Sequence, residues 1–376
     1  MKILAAVDSF KGSMSSQEAN QAVGDALPQH EVVTFPIADG GEGTVSAFVE
    51  LEKGERITEP MTSVNGKLAT GTWGWIEQSK TAIIEAAEGA GIIHADPQTF
   101  HPTNHTSYGM GEQILQALDK GAETLIIGLG GTATVDGGLG MLQALGVHFY
   151  DKKNQLLPRL PIDLGKTASI DRSHLDERLS HVQLIIASDV ANPLCGTNGA
   201  TYIFGEQKGL HPDELHVYDK KMGQYQTVVE QVTNKSVADD PGAGAAGGLG
   251  FAFLSFFSCH FESGLTLLAE RGNLREILKT ADLVITGEGK FDAQSLEGKV
   301  PIGLSRIAEE YNIPTLIFAG KIADSLPDLK PYNIVATVPI VDRPMTLEEA
   351  MATGPLLLKK AVERSFRLID HYRKSQ

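Results

Sequence analysis

The sequence predicts an α/β protein, a Rossmann-like parallel-sheet domain interrupted by a second α/β domain. Three observations carry that expectation. Short apolar runs recur at Lys2–Val7, Val32–Ala38, Thr124–Gly128, Val182–Ala187, Ala281–Thr286 and Pro314–Gly320, as strands covered on both faces require. Segments of helical spacing lie between several of them, which is the order of a parallel sheet. Acids or glycine loops follow most of the runs, and ligands of such sheets lie outside the carboxyl ends of the strands. A chain of 376 residues, at about 100–200 residues per domain, implies two domains. The expected division is 1–60 with 262–376, and 61–261 inserted, with the active site in the cleft between them.

The elements follow in order. Lys2-Ile-Leu-Ala-Ala-Val7 delivers Asp8 and the loop Ser9-Phe-Lys-Gly-Ser13. Ser15 with Glu18 is a capping-box pattern, and Ala19, Ala22, Val23, Ala26 and Leu27 mark the inward face of a helix that stops at Pro28. The next strand ends in Asp39-Gly-Gly-Glu42-Gly-Thr44. Residues 52–85 read as antiparallel hairpins, with Asn65-Gly66 as a turn. Thr106 or Ser107 is expected to cap the helix carrying Met110, Ile114, Ala117 and Leu118. That helix leads through Gly121 into Thr124-Leu-Ile-Ile-Gly128 and the loop Gly128-Leu-Gly-Gly-Thr-Ala-Thr-Val-Asp-Gly-Gly-Leu-Gly140.

The polar stretch from about 150 to 180 has no assignable period. Beyond it, the strand Val182–Ala187 presents Ser188-Asp189-Val-Ala-Asn192, and Gly199–Gly209 forms a further loop containing Lys208. Pro241–Gly250 contains a G-x-G-x-x-G string, but polar residues precede it where a dinucleotide-binding strand should stand, so it reads as a glycine-rich helix start with Phe251–Phe257 as core. Ala281–Thr286 ends in Gly-Glu288-Gly-Lys290-Phe-Asp292-Ala-Gln-Ser295. Gly298-Lys299-Val-Pro301 places proline at the start of a helix, and Pro314–Gly320 is a strand with a glycine exit. The C-terminal helix turns Leu358, Ala361, Val362, Phe366 and Ile369 inward.

Composition narrows the function classes. Lys plus Arg 32 against Asp plus Glu 47 gives a net charge of −15, which repels nucleic acid and offers no general attraction to anionic lipid. No apolar stretch reaches the roughly 18 residues that span a bilayer. Two cysteines, Cys195 and Cys259, without metal-ligand spacing fit a reducing compartment and a cytoplasmic protein.

Acids at several strand ends, lysines, and a hydroxyl-bearing glycine loop are what phosphoryl transfer to a small hydroxylated acceptor needs. Carboxylates hold hydrated Mg²⁺, backbone N–H groups and lysine neutralise the phosphates of ATP, and one carboxylate receives the acceptor's proton. The loop of Gly130, Gly131, Thr132, Thr134 and Asp136, with Lys208, is expected to hold ATP phosphates; Asp39, Glu42 and Glu288 are the metal candidates. Neither a P-loop nor the protein-kinase signature occurs. The rival reading is an NAD(P)-dependent oxidoreductase acting on a small hydroxy acid, because Gly128-Leu-Gly130-Gly-Thr-Ala133 matches G-x-G-x-x-A after a strand; Asp136-Gly137-Gly138 weakens it, since a dinucleotide loop enters its helix directly. A ligand-binding regulator would leave so many strand-end acids unexplained.

Seven ordered motifs also carry a resemblance: Asp8–Ser13, Ala38–Thr44, Gly128–Gly138, Ser188–Leu194, Phe204–Gly209, Pro241–Gly248 and Thr286–Ser295. In order and across nearly the whole chain they resemble those of the bacterial type-1 glycerate kinase family, departing only at Thr132 and Glu206. The resemblance implies ATP- and Mg²⁺-dependent phosphorylation of D-glycerate, commonly at the 2-hydroxyl, in organic acid catabolism by a monomer or homodimer. For that reaction Asp189 is the expected base, because the preceding apolar run fixes its backbone, and Asp292 is its competitor. Lys11 or Lys290 supplies the cation for the substrate carboxylate. Asp8, Ser9 and Asn192 complete the expected substrate- and phosphate-binding set.

Overall fold

The computed structural model describes residues 1–293, 295 and 300–374, apart from the side chains of Tyr372 and Lys374. Gln294, Gly298 and Lys299, quoted above, lie outside the described residues. The chain divides into two compact units, Met1–Asp39 with Glu50–Glu52 and Gly264–Gln376, and Gly40–Val49 with Lys53–Ser263.

The first unit is built on five parallel strands in the spatial order Ile334–Pro339, Thr315–Ile322, Leu283–Phe291, Lys2–Ala5 and Glu31–Thr34. Side chains alternate across it, as the two-residue period of a strand demands. Ile285, Leu316 and Phe318 meet the helices Ser16–Ala26 and Gly354–Lys374, while Ile317 and Ala319 meet Ile302 on the other face. Each fully buried isoleucine, leucine or phenylalanine among them stabilises the fold by about 1.5–3 kcal/mol.

The expected capping box is present: Glu18 N–H donates to Ser15 Oγ at 3.2 Å and Ser15 N–H to Glu18 Oε2 at 2.8 Å. The C-terminal helix buries Leu358, Ala361, Val362 and Phe366, with Ile369 packed beside them. Two strands run further than expected. Leu283–Phe291 and Thr315–Ile322 continue through Gly287 and Gly320, which read as strand exits. Those glycines are ladder positions, where a Cβ would collide with a carbonyl oxygen of the neighbouring strand, that of Phe318 or Gly289. Glu288 and Lys290 therefore sit on a strand rather than in a strand-end loop.

The second unit carries six strands in the order Cys259–Glu262, Gln183–Ala187, Thr124–Gly128, Thr81–Glu85, Leu68–Ile76 and Glu55–Thr62. The first four are parallel and the last two add antiparallel, joined by the expected turn at Asn65-Gly66, where Ser63 N–H donates to Lys67 O at 2.7 Å. Helices Tyr108–Asp119, Leu215–Thr233 and Ala245–Phe256 contribute Met110, Tyr225 and Phe251 to one core with Leu125, Ile127 and Ile186. The stretch without a period holds a short antiparallel pair, His148–Tyr150 with Ser169–Asp171. No helix among the described residues is long and apolar enough to cross a membrane.

Candidate functional site

The polar residues singled out by sequence fall into two groups, one in each unit. In the first unit the strand from Lys2 is extended by Asp8 N–H, which donates to Gly287 O at 3.0 Å. Buried Asn20 clamps this end of the sheet. Its Oδ1 accepts from Val7 N–H at 2.9 Å and its Nδ2 donates to Phe35 O at 3.1 Å, which aligns the extensions that lead to Asp8 and Asp39.

Asp8, Ser9, Lys11, Asp39, Glu288 and Lys290 all line one pocket of 430 Å³, within the size range of small-molecule sites. Its other wall is apolar, with Ile340, Leu347, Met351 and Leu357. Burial, with the Asp39 and Glu288 carboxylates as further contributors, pushes the Asp8 carboxyl up to about 8; Ser9 N–H, donating at 2.7 Å, and Lys11 oppose the shift. Lys290 is exposed and pairs with Asp292 at 2.6 Å.

The second group surrounds the glycine loop. Here the structure corrects the sequence reading. Asp136 was expected to face phosphate, yet it is fully buried and accepts from Ser107 Oγ at 2.7 Å and from the N–H groups of Ser107 at 2.9 Å, Gly138 at 3.1 Å and Gly140 at 3.3 Å. Its carboxylate occupies the anion position at the start of helix Leu139–Ala144, where a phosphate was anticipated. The N–H groups of Gly130, Ala133 and Gly137 are likewise engaged, with the carbonyls of Gly40, Ala90 and Gly247. Most of the loop is thus locked by protein acceptors, and only Gly130 and Gly131 reach the surface within it.

Lys208 is buried beneath this loop. Its Nζ donates to Thr132 Oγ1 at 2.9 Å and to Thr134 O at 3.0 Å, and burial pushes the amine down to about 7. Thr134 is fully buried. The expected cap is split. Thr106 Oγ1 accepts from Tyr108 N–H at 3.2 Å, while Ser107 Oγ serves the loop, donating to Asp136 and accepting from Met141 N–H at 2.9 Å. The run Pro241–Gly250 does open a helix, with Ala246, Gly247 and Gly248 left-handed; a Cβ on Gly247 would strike the Thr134 carbonyl, so this glycine run serves close packing against the loop.

Asp189 is exposed just past strand Gln183–Ala187. The strand end abuts the glycine loop, since Leu129 N–H donates to Ala187 O at 3.2 Å. Asn192 spans its own loop, donating to Asn198 O at 2.9 Å. Glu42 belongs to the second unit, near Glu85, whereas Asp39 and Glu288 belong to the first. Glu85 Oε1 accepts from Val45 N–H at 2.6 Å, and burial pushes its carboxyl up to about 7. The dinucleotide reading fails, because the chain enters a helix only at Leu139, behind a buried acid.

Sequence reasoning missed Asn20 and Ser107 as positioning residues. Asn20 left a signal, a polar residue on the apolar face of its helix beside Ala19 and Val23; Ser107 left none.

The family model described as "Glycerate kinase family" matches residues 3–370. The glycerate kinase of Haemophilus influenzae is 38% identical over 373 residues, 98% of this chain and 99% of the relative. The glycerate 2-kinase of Escherichia coli K12 is 39% identical over 354 residues, 93% of each chain. A crystal structure from Salmonella typhimurium LT2, provisionally assigned as glycerate kinase 2, is 36% identical with a TM-score of 0.83, covering 100% of this chain and 99% of that one. With the strand-end acids and the ordered motifs, these matches show that the chain belongs to the glycerate kinase family of phosphotransferases.

Proposed function

We propose that this protein transfers the γ-phosphoryl group of ATP to the 2-hydroxyl of D-glycerate with Mg²⁺, as a cytoplasmic step of organic acid catabolism. The name of the Escherichia coli relative supports the 2-position. The observation that carries the reading is the pocket in which Asp8, Asp39 and Glu288 converge with Lys11 and Lys290 at its rim. Asp39 and Glu288 both raise the Asp8 carboxyl, and the hard oxygen donors of the three fit a divalent cation. Asp39 and Glu288 are the residues to hold Mg²⁺, beside Asp8. When bound, the ion would neutralise charge on the phosphate oxygens.

Lys11 acts as a point charge toward phosphate or the glycerate carboxylate, and Lys290, which shares its charge with Asp292, adds to it. Asp189 orients the hydroxyl and takes its proton, at a backbone position fixed by the buried strand before it. Asp292 is already committed to its ion pair with Lys290. In the second unit, Gly130 and Gly131 are the parts of the loop left to meet phosphate, with the buried Thr132 and Lys208 pair fixing the loop behind them.

The test is ADP release over a panel of small hydroxy acids, with product position read by ³¹P NMR, on the wild type and on Asp189→Asn and Asp292→Asn. D-glycerate should give 2-phosphoglycerate, and Asp189→Asn should lower kcat by about 10²-fold or more. Product at the 3-position, or no ADP release with glycerate, would overturn the substrate reading. Normal turnover in Asp189→Asn with loss in Asp292→Asn would pass the base to Asp292.

A further inference from the structure

The segment without a sequence period ends in a cluster of side chains that phosphoryl transfer does not use. His148 and Asp171 lie directly opposite each other in the short antiparallel pair, as Phe149 does to Ile170. Phe149 is fully buried and Ile170 packs against the core. The strand period of two therefore sends His148 and Asp171 together to the outer face. His174 comes back to them through a tight turn: Leu175 N–H donates to Arg172 O at 3.1 Å, and Ser173 N–H donates to Asp171 Oδ1 at 2.8 Å.

Two further contacts pin this turn. Asp176 N–H donates to Leu145 O at 3.0 Å. Gly146, left-handed at φ 101°, lies so close to the His174 carbonyl that a Cβ there would collide with it. The imidazoles of His148 and His174 end with ring centroids 5.1 Å apart. One ligating atom from each of His148, Asp171 and His174 lies within 4.8 Å of the other two, the one such grouping of three among the described residues. Ser173 N–H, with the two imidazoles contributing less, holds the Asp171 carboxyl below its ordinary range.

We propose that His148, Asp171 and His174 form a second cation site, selective for a borderline transition metal such as Zn²⁺ or Ni²⁺. Two imidazole nitrogens and one carboxylate oxygen are the donor set such ions prefer, whereas Mg²⁺ prefers oxygen alone. The three donors need to close by only about 1–2 Å to reach the spacing set by metal–ligand bonds of about 2.0–2.2 Å. Two of the three sit on a paired ladder, and the third sits in a turn held by hydrogen bonds on both sides. Bound metal would staple the turn to the strand pair and stabilise this segment by linkage.

The experiment uses chelator-stripped, tag-free full-length protein titrated with Zn²⁺ and Ni²⁺ by calorimetry, with thermal midpoints read in parallel. The wild type should bind about one ion per chain, not displaced by excess Mg²⁺, with a rise in midpoint. His148→Gln and His174→Gln should each weaken binding about tenfold or more and abolish the midpoint rise, while ADP release in Mg²⁺ stays at the wild-type level. His174 is exposed in its turn, so its variant tests the site even where His148→Gln perturbs the strand pair. Zn²⁺ binding that is absent, or that survives both substitutions in folded protein, would overturn the proposal.

Discussion

In the first unit, Asp8, Asp39 and Glu288 crowd one pocket whose remaining polar groups lie at a rim open to a ligand. In the second, Asp136, Thr132, Thr134 and Lys208 answer one another inside the protein. Both groups lie on or just beyond parallel strands, and both combine acids, lysine and glycine. The difference lies in the setting of the carboxylates. Asp136 accepts four protein donors and is a structural lock, whereas Asp8, Asp39 and Glu288 bring like charge together along one open pocket.

The sharpest break of this comparison is substitution in the pocket. Glu288→Gln should lower kcat by about 10²–10³-fold, as for the loss of one preorganised electrostatic group, and raise the Mg²⁺ concentration needed for half-maximal rate. Calorimetric melting of the ligand-free protein should change less than in Asp136→Ala, because the substitution also relieves repulsion on Asp8. A marked fall in midpoint with normal kinetics would make Glu288 a structural acid like Asp136.

Asp136→Ala should behave in the opposite way. It leaves the N–H groups of Ser107, Gly138 and Gly140 and the Ser107 hydroxyl without their acceptor, at a cost of about 2–4 kcal/mol for buried donors that lose a charged partner. Urea denaturation reads that loss directly. Stability within error of the wild type would show that the carboxylate locks nothing.

The smallest effect concerns pH. Lys208 has its amine at about 7 in the folded protein, well below the ordinary lysine value. Between pH 7 and about 10 the unfolded chain binds the extra proton, so this group makes stability rise with pH, by at most about 1.4 kcal/mol per pH unit. Below pH 7 both states are protonated and the penalty is constant. Denaturation midpoints at pH 7, 8 and 9 should climb more steeply in the wild type than in Lys208→Met. Equal slopes would mean that the amine remains charged beneath the loop.

Much of this was legible in the sequence because it rests on local physics. Apolar runs, the Ser15 and Glu18 box, the Asn65-Gly66 turn and the inward face of the last helix are decided by residues within a few positions of one another, and each is present. Strand-end acids were legible too, since parallel sheets put functional groups there. The extent of Leu283–Phe291 was not, because glycine ends a strand in isolation but permits close approach when another strand lies alongside.

By itself the sequence determined the α/β class, most of the parallel strands in their order, the strand-end positions of Asp8, Asp39 and Asp189, and, through seven ordered motifs, the family. Only the tertiary structure decided which of the polar residues the fold itself takes up. Asp136 meets Ser107, and the glycine loop meets Gly247, across long separations in the chain. Whether a buried carboxylate finds protein donors depends on those distant partners, and no local pattern encodes them.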